Sequence, residues 1–278
     1  MMEKVLKRYI FLVMGVFIAT NAYSQVAIAP TNLFIDANSN FATYLVINNS
    51  QENQEISVDF LFGYTSTDSL GIRSLVFDDS TTASEYSLVE YMRAFPQDFT
   101  LNPGRRQVVR IRVNPPANLD EKTYWARIRT SSNPVSPPVE VESSDNVTAR
   151  VGINIQQISG IFLKKGEVST GIEVEEIRPL INNDSLIVLA DFQRLGNSPF
   201  LGTITTQLKD DSGNVVKENV TSTTLYFDGT HREELTIDDI ESGNYTIEIQ
   251  YETRRSDIPA DELVQMQPVT ATTTVTIP

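Results

Sequence analysis

The chain has 278 residues, no cysteine, a single histidine (His231) and a formal net charge of −14. Without thiols there is no disulfide framework and no thiolate metal site, and one histidine excludes most zinc centres and the histidine-based catalytic triads. Nucleic acid is a poor partner for so acidic a chain, because its recognition needs basic patches that displace counterions.

Residues 1–24 read as an export signal. Lys4, Lys7 and Arg8 form a basic start, Tyr9 to Ala19 is apolar, and Ala22-Tyr23-Ser24 is a small-x-small cleavage site ahead of Gln25. The leader carries Glu3 against three basic residues, so a chain beginning at Gln25 carries −16. No other apolar run is long enough to span a membrane, and the expected product is a soluble periplasmic protein, or alternatively one at the cell surface or secreted. Its length of about 250 residues suits two sandwich domains of ordinary size.

Val26 to Asp36 reads as an extended segment around Pro30. Phe41 to Asn48 and Glu55 to Phe62 are short runs rich in β-branched and aromatic residues, separated by the polar turn Asn49 to Asn53. Gly63 to Glu85 is polar around one apolar island, Leu75-Val76-Phe77, and is expected to be a long loop. Tyr86 to Met92 is expected to be a short helix. Asn102-Pro103-Gly104 is a turn into a cleanly alternating run, with Val109, Ile111 and Val113 on one face and Val108, Arg110 and Arg112 on the other. Tyr124 to Arg129 alternates in the same way and predicts a wet face of Trp125, Arg127 and Arg129. Half-buried strands of this kind belong to antiparallel sheets. Thr130 to Asn146 reads as an exposed loop, and Val147 to Leu163 is the longest alternating run in the chain.

The step Lys164-Lys165-Gly166 is the expected domain boundary. Residues 25–163 form a first sandwich and 164–278 a second, whose strands are expected at Gly171 to Leu180, Ser185 to Phe192, Gly202 to Leu208, Asn214 to Lys217, Thr223 to Phe227, Arg232 to Ile237, Gly243 to Tyr251 and Val269 to Ile277. Asp210 to Asn214 is a hairpin turn. Tyr245 stands where a late strand begins, as a tyrosine often does in immunoglobulin-like sandwiches. The predicted fold class is all-β, two immunoglobulin-like sandwiches in tandem.

The order of these pieces resembles the amino-terminal domain of periplasmic pilus-assembly chaperones, the PapD-like family. The resemblance rests on the Pro-containing first strand, FATYLVINNS, Leu101-Asn102-Pro103-Gly104 before Val109-Arg110-Ile111, YWARIR, and the long final strand, and it covers roughly Val26 to Lys165. It implies that the last strand of the first domain is lent to an incomplete subunit by β-strand addition. Val147, Ala149, Val151, Ile153 and Ile155 would then fill the partner's groove, unless they pack in their own core. The implied partner is a protein subunit of a pilus or surface structure, with an usher or other assembly machinery beside it. The family anchors the subunit's terminal carboxylate with a basic pair. Aligned without gaps, those positions fall near Asn32 and at Ser159 or Gly160, neither of them basic, which leaves Asn32 and Arg150 as candidate carboxylate contacts.

Other constellations carry less. Arg110, Arg112, Arg127 and Arg129 would form a basic stripe for an acidic partner or polysaccharide if their strands were neighbours. Trp125 on the same face would suit a carbohydrate-binding module. Asp120, Glu121 and Lys164 supply either an ion pair between domains or ordinary surface charges, the latter being the simpler reading. Asn48, Asn146, Asn183, Asn219 and Asn244 begin glycosylation-type triplets, and Asp68-Ser69-Leu70, Asp79-Ser80-Thr81 and Asp184-Ser185-Leu186 resemble short O-glycosylation sites. No nucleotide loop, nucleophile elbow or metal cluster is present in the sequence, so neither a catalytic residue nor a cofactor is expected. The alternative to a chaperone is a structural or adhesive surface protein of two immunoglobulin-like domains.

Overall fold

A computed structural model describes residues 26–35, 40–135 and 154–278, and the expected leader lies outside them. The chain forms two β-sandwiches in tandem. One sheet of the first has the spatial order β1 (Val26–Ala29), β3 (Phe41–Asn48), β9 (Arg106–Val113), β7 (Met92–Phe95). The facing sheet is β2 (Asn32–Phe34), β11 (Ile155–Lys165), β10 (Lys122–Pro134), β4 (Gln54–Leu61), β8 (Asp98–Leu101). Period-2 alternation sets the core: Tyr44 and Val46, Val109 and Ile111, Ala126 and Ile128, and Ile161 and Leu163 meet between the sheets. Tyr44 shares a hydrogen bond of 3.0 Å with Thr130 Oγ1 across this core, and burial pushes its phenol pKa up to about 12.

The Asn102-Pro103-Gly104 turn is held by Asn48. This fully buried amide donates to the Leu101 and Glu52 carbonyls, both at 2.8 Å, and accepts from the Ser50 backbone and hydroxyl. Its own carbonyl accepts from Gly104 N at 2.8 Å, and Gly104 takes φ +68°, the left-handed region that favours glycine. A side chain so enclosed is not a glycosylation acceptor.

The expected long loop is instead ordered structure. Tyr64–Thr67 (β5) and Arg73–Val76 (β6) form a hairpin, and Ser80–Tyr86 is a helix, α1. The helix starts at Ser80, well before the expected Tyr86, because Asp79 caps it. Its carboxylate accepts from Thr82 N at 3.0 Å and Thr82 Oγ1 at 2.6 Å. Tyr64 Oη donates to the same carboxylate at 2.7 Å, and these bonds, those from Thr82 foremost, hold the Asp79 pKa down at about 2. Val89–Tyr91 makes only a turn of 3₁₀ helix, and Met92 opens β7.

The second sandwich packs β12 (Thr170–Asn182), β13 (Ser185–Gly196) and β16 (Gly229–Thr236) against β15 (Val215–Leu225), β14 (Phe200–Lys209), β17 (Gly243–Glu252) and β18 (Val269–Ile277). Two expected strands, Asn214 to Lys217 and Thr223 to Phe227, overlap the single strand β15 at its two ends. Asp210 closes the β14–β15 turn by accepting from Ser212 N and Asn214 N. Tyr124 Oη donates to the Asp120 carbonyl at 3.2 Å, and Tyr245 Oη to the Glu241 carbonyl at 2.8 Å. Each sandwich therefore has a tyrosine corner reaching four residues back, the second at the position read from the sequence.

An aromatic cluster joins the sandwiches. Phe62, Tyr64, Trp125 and Phe162 from the first meet Leu201, Tyr226, Ile258 and Leu263 from the second. Trp125 lies between the rings of Tyr86 at 4.7 Å, Tyr226 at 4.9 Å and Phe62 at 5.6 Å. It is 1% exposed, which overturns its expected place on a wet face and with it the carbohydrate-binding reading built on Trp125. Arg127 likewise sits 5.3 Å from the Tyr226 ring and donates to the Gly63 carbonyl.

The β5–β6 hairpin straps over the seam. Thr65 Oγ1 donates to the Thr224 carbonyl, Arg73 Nη2 to Thr223 Oγ1 at 2.6 Å, and Thr230 N to Thr67 Oγ1. Near Arg73, His231 is buried with its Nε2 3.7 Å from Glu233, whose oxygens accept from Asn219 and Thr221. Burial lowers the His231 pKa to about 4, outweighing the pull of Glu233, so the imidazole is neutral at pH 7. The expected surface role of Lys164 is also corrected. It pairs with Glu262 of the second sandwich at 3.8 Å and donates to the Glu262 carbonyl at 2.9 Å, while Glu121 accepts from Glu167 N.

Candidate strand-addition site

β11 is flanked unequally along its length. On one side it pairs antiparallel with β10 throughout, from Lys122↔Lys165 to Ser132↔Ile155. On the other it pairs with β2, in parallel, only over Gly160 to Phe162. The cause lies in the first extended segment, which is split at Pro30. Val26 to Ala29 pairs with β3 in the opposite sheet, and only after Pro30 does the chain join β11.

Residues 155–159 are therefore paired on one side only among the described residues. Gly160 N donates to Thr31 O and Phe162 O accepts from Ile35 N, so the backbone groups of even-numbered residues point towards β2. By the same alternation those of Gln156 and Ile158 point to the open side. Ile158 is 40% exposed on the outer face of the sheet. Ile155 and Gln157 face inward and are half-buried, in parity with Ile161 and Leu163, and the Gln157 amide donates to the Val26 carbonyl across the two sheets.

Natural sheets blunt such edges with lysine, proline or a bulge. In the second sandwich β12 has a bulge between Val174 and Glu176, and β15 carries Lys217 and Glu218. The segment Ile155-Gln156-Gln157-Ile158-Ser159 has none of these devices.

Of the groove-filling residues read from the sequence, Ile155 is the one described, and Val147, Ala149, Val151, Ile153 and Arg150 lie outside the described residues. Asn32 and Gly160 are direct partners in the β2–β11 ladder, so the two positions matched to the family's basic anchors do come together. The surroundings they share are not cationic. Asn32 Nδ2 lies 3.4 Å from Asp257 Oδ2, and Asp257 and Glu262 help line a cleft of about 600 Å³ with Pro30, Phe34 and Phe41. Arg255 holds the Asp257 carboxylate at 2.6 and 2.7 Å and lowers its pKa, and Glu262 is paired with Lys164. A carboxylate entering this cleft meets an amide and two paired acids, with no unpaired cation among the described lining residues. Sequence reading missed Ile158 because it sought one apolar face of the strand, and Ile158 stands on the other.

Among the described residues no group of three or more His, Asp or Glu is placed to hold a metal ion, and no helix is long and apolar enough to cross a membrane. No family model matches the chain, and no curated protein matches it. Among solved structures the chain is similar to the YadV chaperone, with 8% identity and a TM-score of 0.43 over 91% of this chain and 100% of that one. It is also similar to a Salmonella enterica structure of the SafA pilin in complex with the SafB chaperone, with 13% identity and a TM-score of 0.43 over 91% and 98% of the two chains. The E. coli chaperone DraB aligns with 11% identity and a TM-score of 0.42 over 82% of this chain and 88% of that one.

Proposed function

We propose that this protein is an exported, periplasmic chaperone, or a chaperone-like assembly protein, that binds subunits of a pilus or other surface structure by β-strand addition at the start of β11. The observation that supports this most is the unprotected edge at residues 155–159, a long strand left half-paired because the first strand changes sheets. A partner strand laid along it would satisfy the backbone groups of Gln156 and Ile158 and extend the five-stranded sheet. Upstream, Val147, Ala149, Val151 and Ile153 share the parity of Ile155 and would supply apolar side chains to the partner's groove. Burying each of the large ones is worth about 1.5–3 kcal/mol. The neutral Asn32–Gly160 pair fits a partner held by backbone pairing and apolar contact more than by a charge-assisted carboxylate.

The test is co-expression with candidate pilus or surface-structure subunits, sought first among the products of neighbouring genes. The wild-type chain is expected to hold one such subunit in a complex stable to gel filtration, and the double variant Ile153→Asp, Ile155→Asp to lose it while keeping its thermal transition. Retention of the complex by the folded double variant refutes strand addition here.

A further inference from the structure

The two sheets of the first sandwich have different outer faces. That of β10 and β11 is covered by the second sandwich through Trp125 and Phe162, whereas that of β3, β9 and β7 is exposed. Register places Arg112 between Phe41 and Arg93, and Arg110 between Thr43 and Phe95. The next row has Val108 opposite Leu45, and beyond it stands Arg106 opposite Ile47. All four arginines are exposed, and none forms an ion pair among the described residues. No Asp or Glu occurs in β1, β3, β7 or β9.

This arrangement is unfavourable for the chain alone. Arg93 and Arg112 are directly opposed across a ladder, where like charges repel, in a protein with 36 acidic residues and none of them in these strands. Phe95, on the edge strand β7, is 59% exposed and Val108 55%, and Arg110 stands between Thr43 and Phe95, so exposed apolar side chains interleave with the arginines across this face. Arginine interleaved with exposed aromatic and aliphatic side chains is the composition of a protein-binding surface. We infer that the outer face of β3, β9 and β7 docks an acidic protein surface whose carboxylates meet Arg93, Arg110 and Arg112 and whose apolar side chains meet Phe95 and Val108. An anionic lipid surface fits less well, because the rest of the molecule opposes it: Gly166 to Pro278 carries 20 acidic against 7 basic residues. The face belongs to the sheet opposite β11, so a strand-added partner and this acidic partner occupy different surfaces, and the inference stands apart from strand addition.

Titration of the whole chain with a random glutamate–tyrosine copolymer, and with poly-glutamate of the same length, tests this at physiological salt. The mixed copolymer is expected to bind about tenfold tighter, and Phe95→Ala to remove that advantage. Arg93→Glu with Arg112→Glu is expected to weaken both by more than about thirtyfold with an unchanged thermal transition, and Arg112→Gln serves if the double variant does not fold. Equal binding of the two polymers, or indifference to the arginine substitutions, overturns the inference. So does tighter binding to phosphatidylglycerol vesicles that is lost in the same variants, which would assign the face to lipid.

Discussion

β9 and β10 carry nearly the same sentence, VVRIRV and YWARIR, and their outward faces meet opposite fates. Arg110 and Arg112 stay in solvent, with Arg110 resting 5.1 Å from the ring of Phe41. Trp125 is sealed under the second sandwich, and Arg127 is half-buried against Tyr226. The two pairs do not form the expected basic stripe, since β9 and β10 lie in different sheets. Alternation tells which residues share a face and leaves open what covers it. The outward indole of Trp125 on β10 and phenyl of Phe162 on β11 are buried in the seam, whereas the outward positions of β9 are Val108 and arginines left in solvent.

Substitutions on the two faces should separate them by the size of their effect. Trp125→Ala is expected to cost about 3–5 kcal/mol, seen as a lower urea midpoint, because it empties the centre of the seam. A loss below about 1 kcal/mol would mean that the seam contributes little. Asn48→Ala, in the sheet whose outer face is bare, should cost about 2–3 kcal/mol by leaving the Leu101 and Glu52 carbonyls unpaired. That loss would locate the strength of this sheet in its turn and core.

Acid should act on the covered side. The His231 pKa is lowered on folding, so its neutral form favours the folded state fully above its unfolded value of about 6.5, and that contribution fades as pH falls towards about 4. Between pH 7 and pH 5 the expected loss is about 2 kcal/mol, and His231→Phe should flatten the curve. An unchanged slope in the variant would move the acid sensitivity elsewhere. Smallest of all, Arg110→Ala on the open face should change stability by no more than about 0.5 kcal/mol. A clear gain from Arg112→Gln in the same urea series would reveal the repulsion from Arg93.

Much of the first sandwich was legible because period 2 is unambiguous where one face is core. Tyr124, Ala126 and Ile128, and Val109, Ile111 and Val113, fell on the buried side as read. The β5–β6 hairpin was not, since its serine and threonine residues look like a loop until Thr65, Thr67 and Arg73 find partners in the second sandwich. Those contacts join residues about 150 positions apart, as with Arg73 and Thr223, and leave no local pattern. Of the final strand read as Val147 to Leu163, the part from Ile155 lies in β11, which runs on to Lys165, and Val147 to Ile153 lie outside the described residues; the open edge follows from the change of sheet at Pro30, a property of pairing rather than of the strand's own sequence.

The burial of Trp125 has one more consequence. It is the protein's only tryptophan, so indole emission reports on one place in the molecule, the seam between the sandwiches. A red shift in emission should therefore mark separation of the two halves even while circular dichroism still records intact strands. Fluorescence and dichroism transitions that coincide at every urea concentration would instead show that the sandwiches melt as one cooperative body.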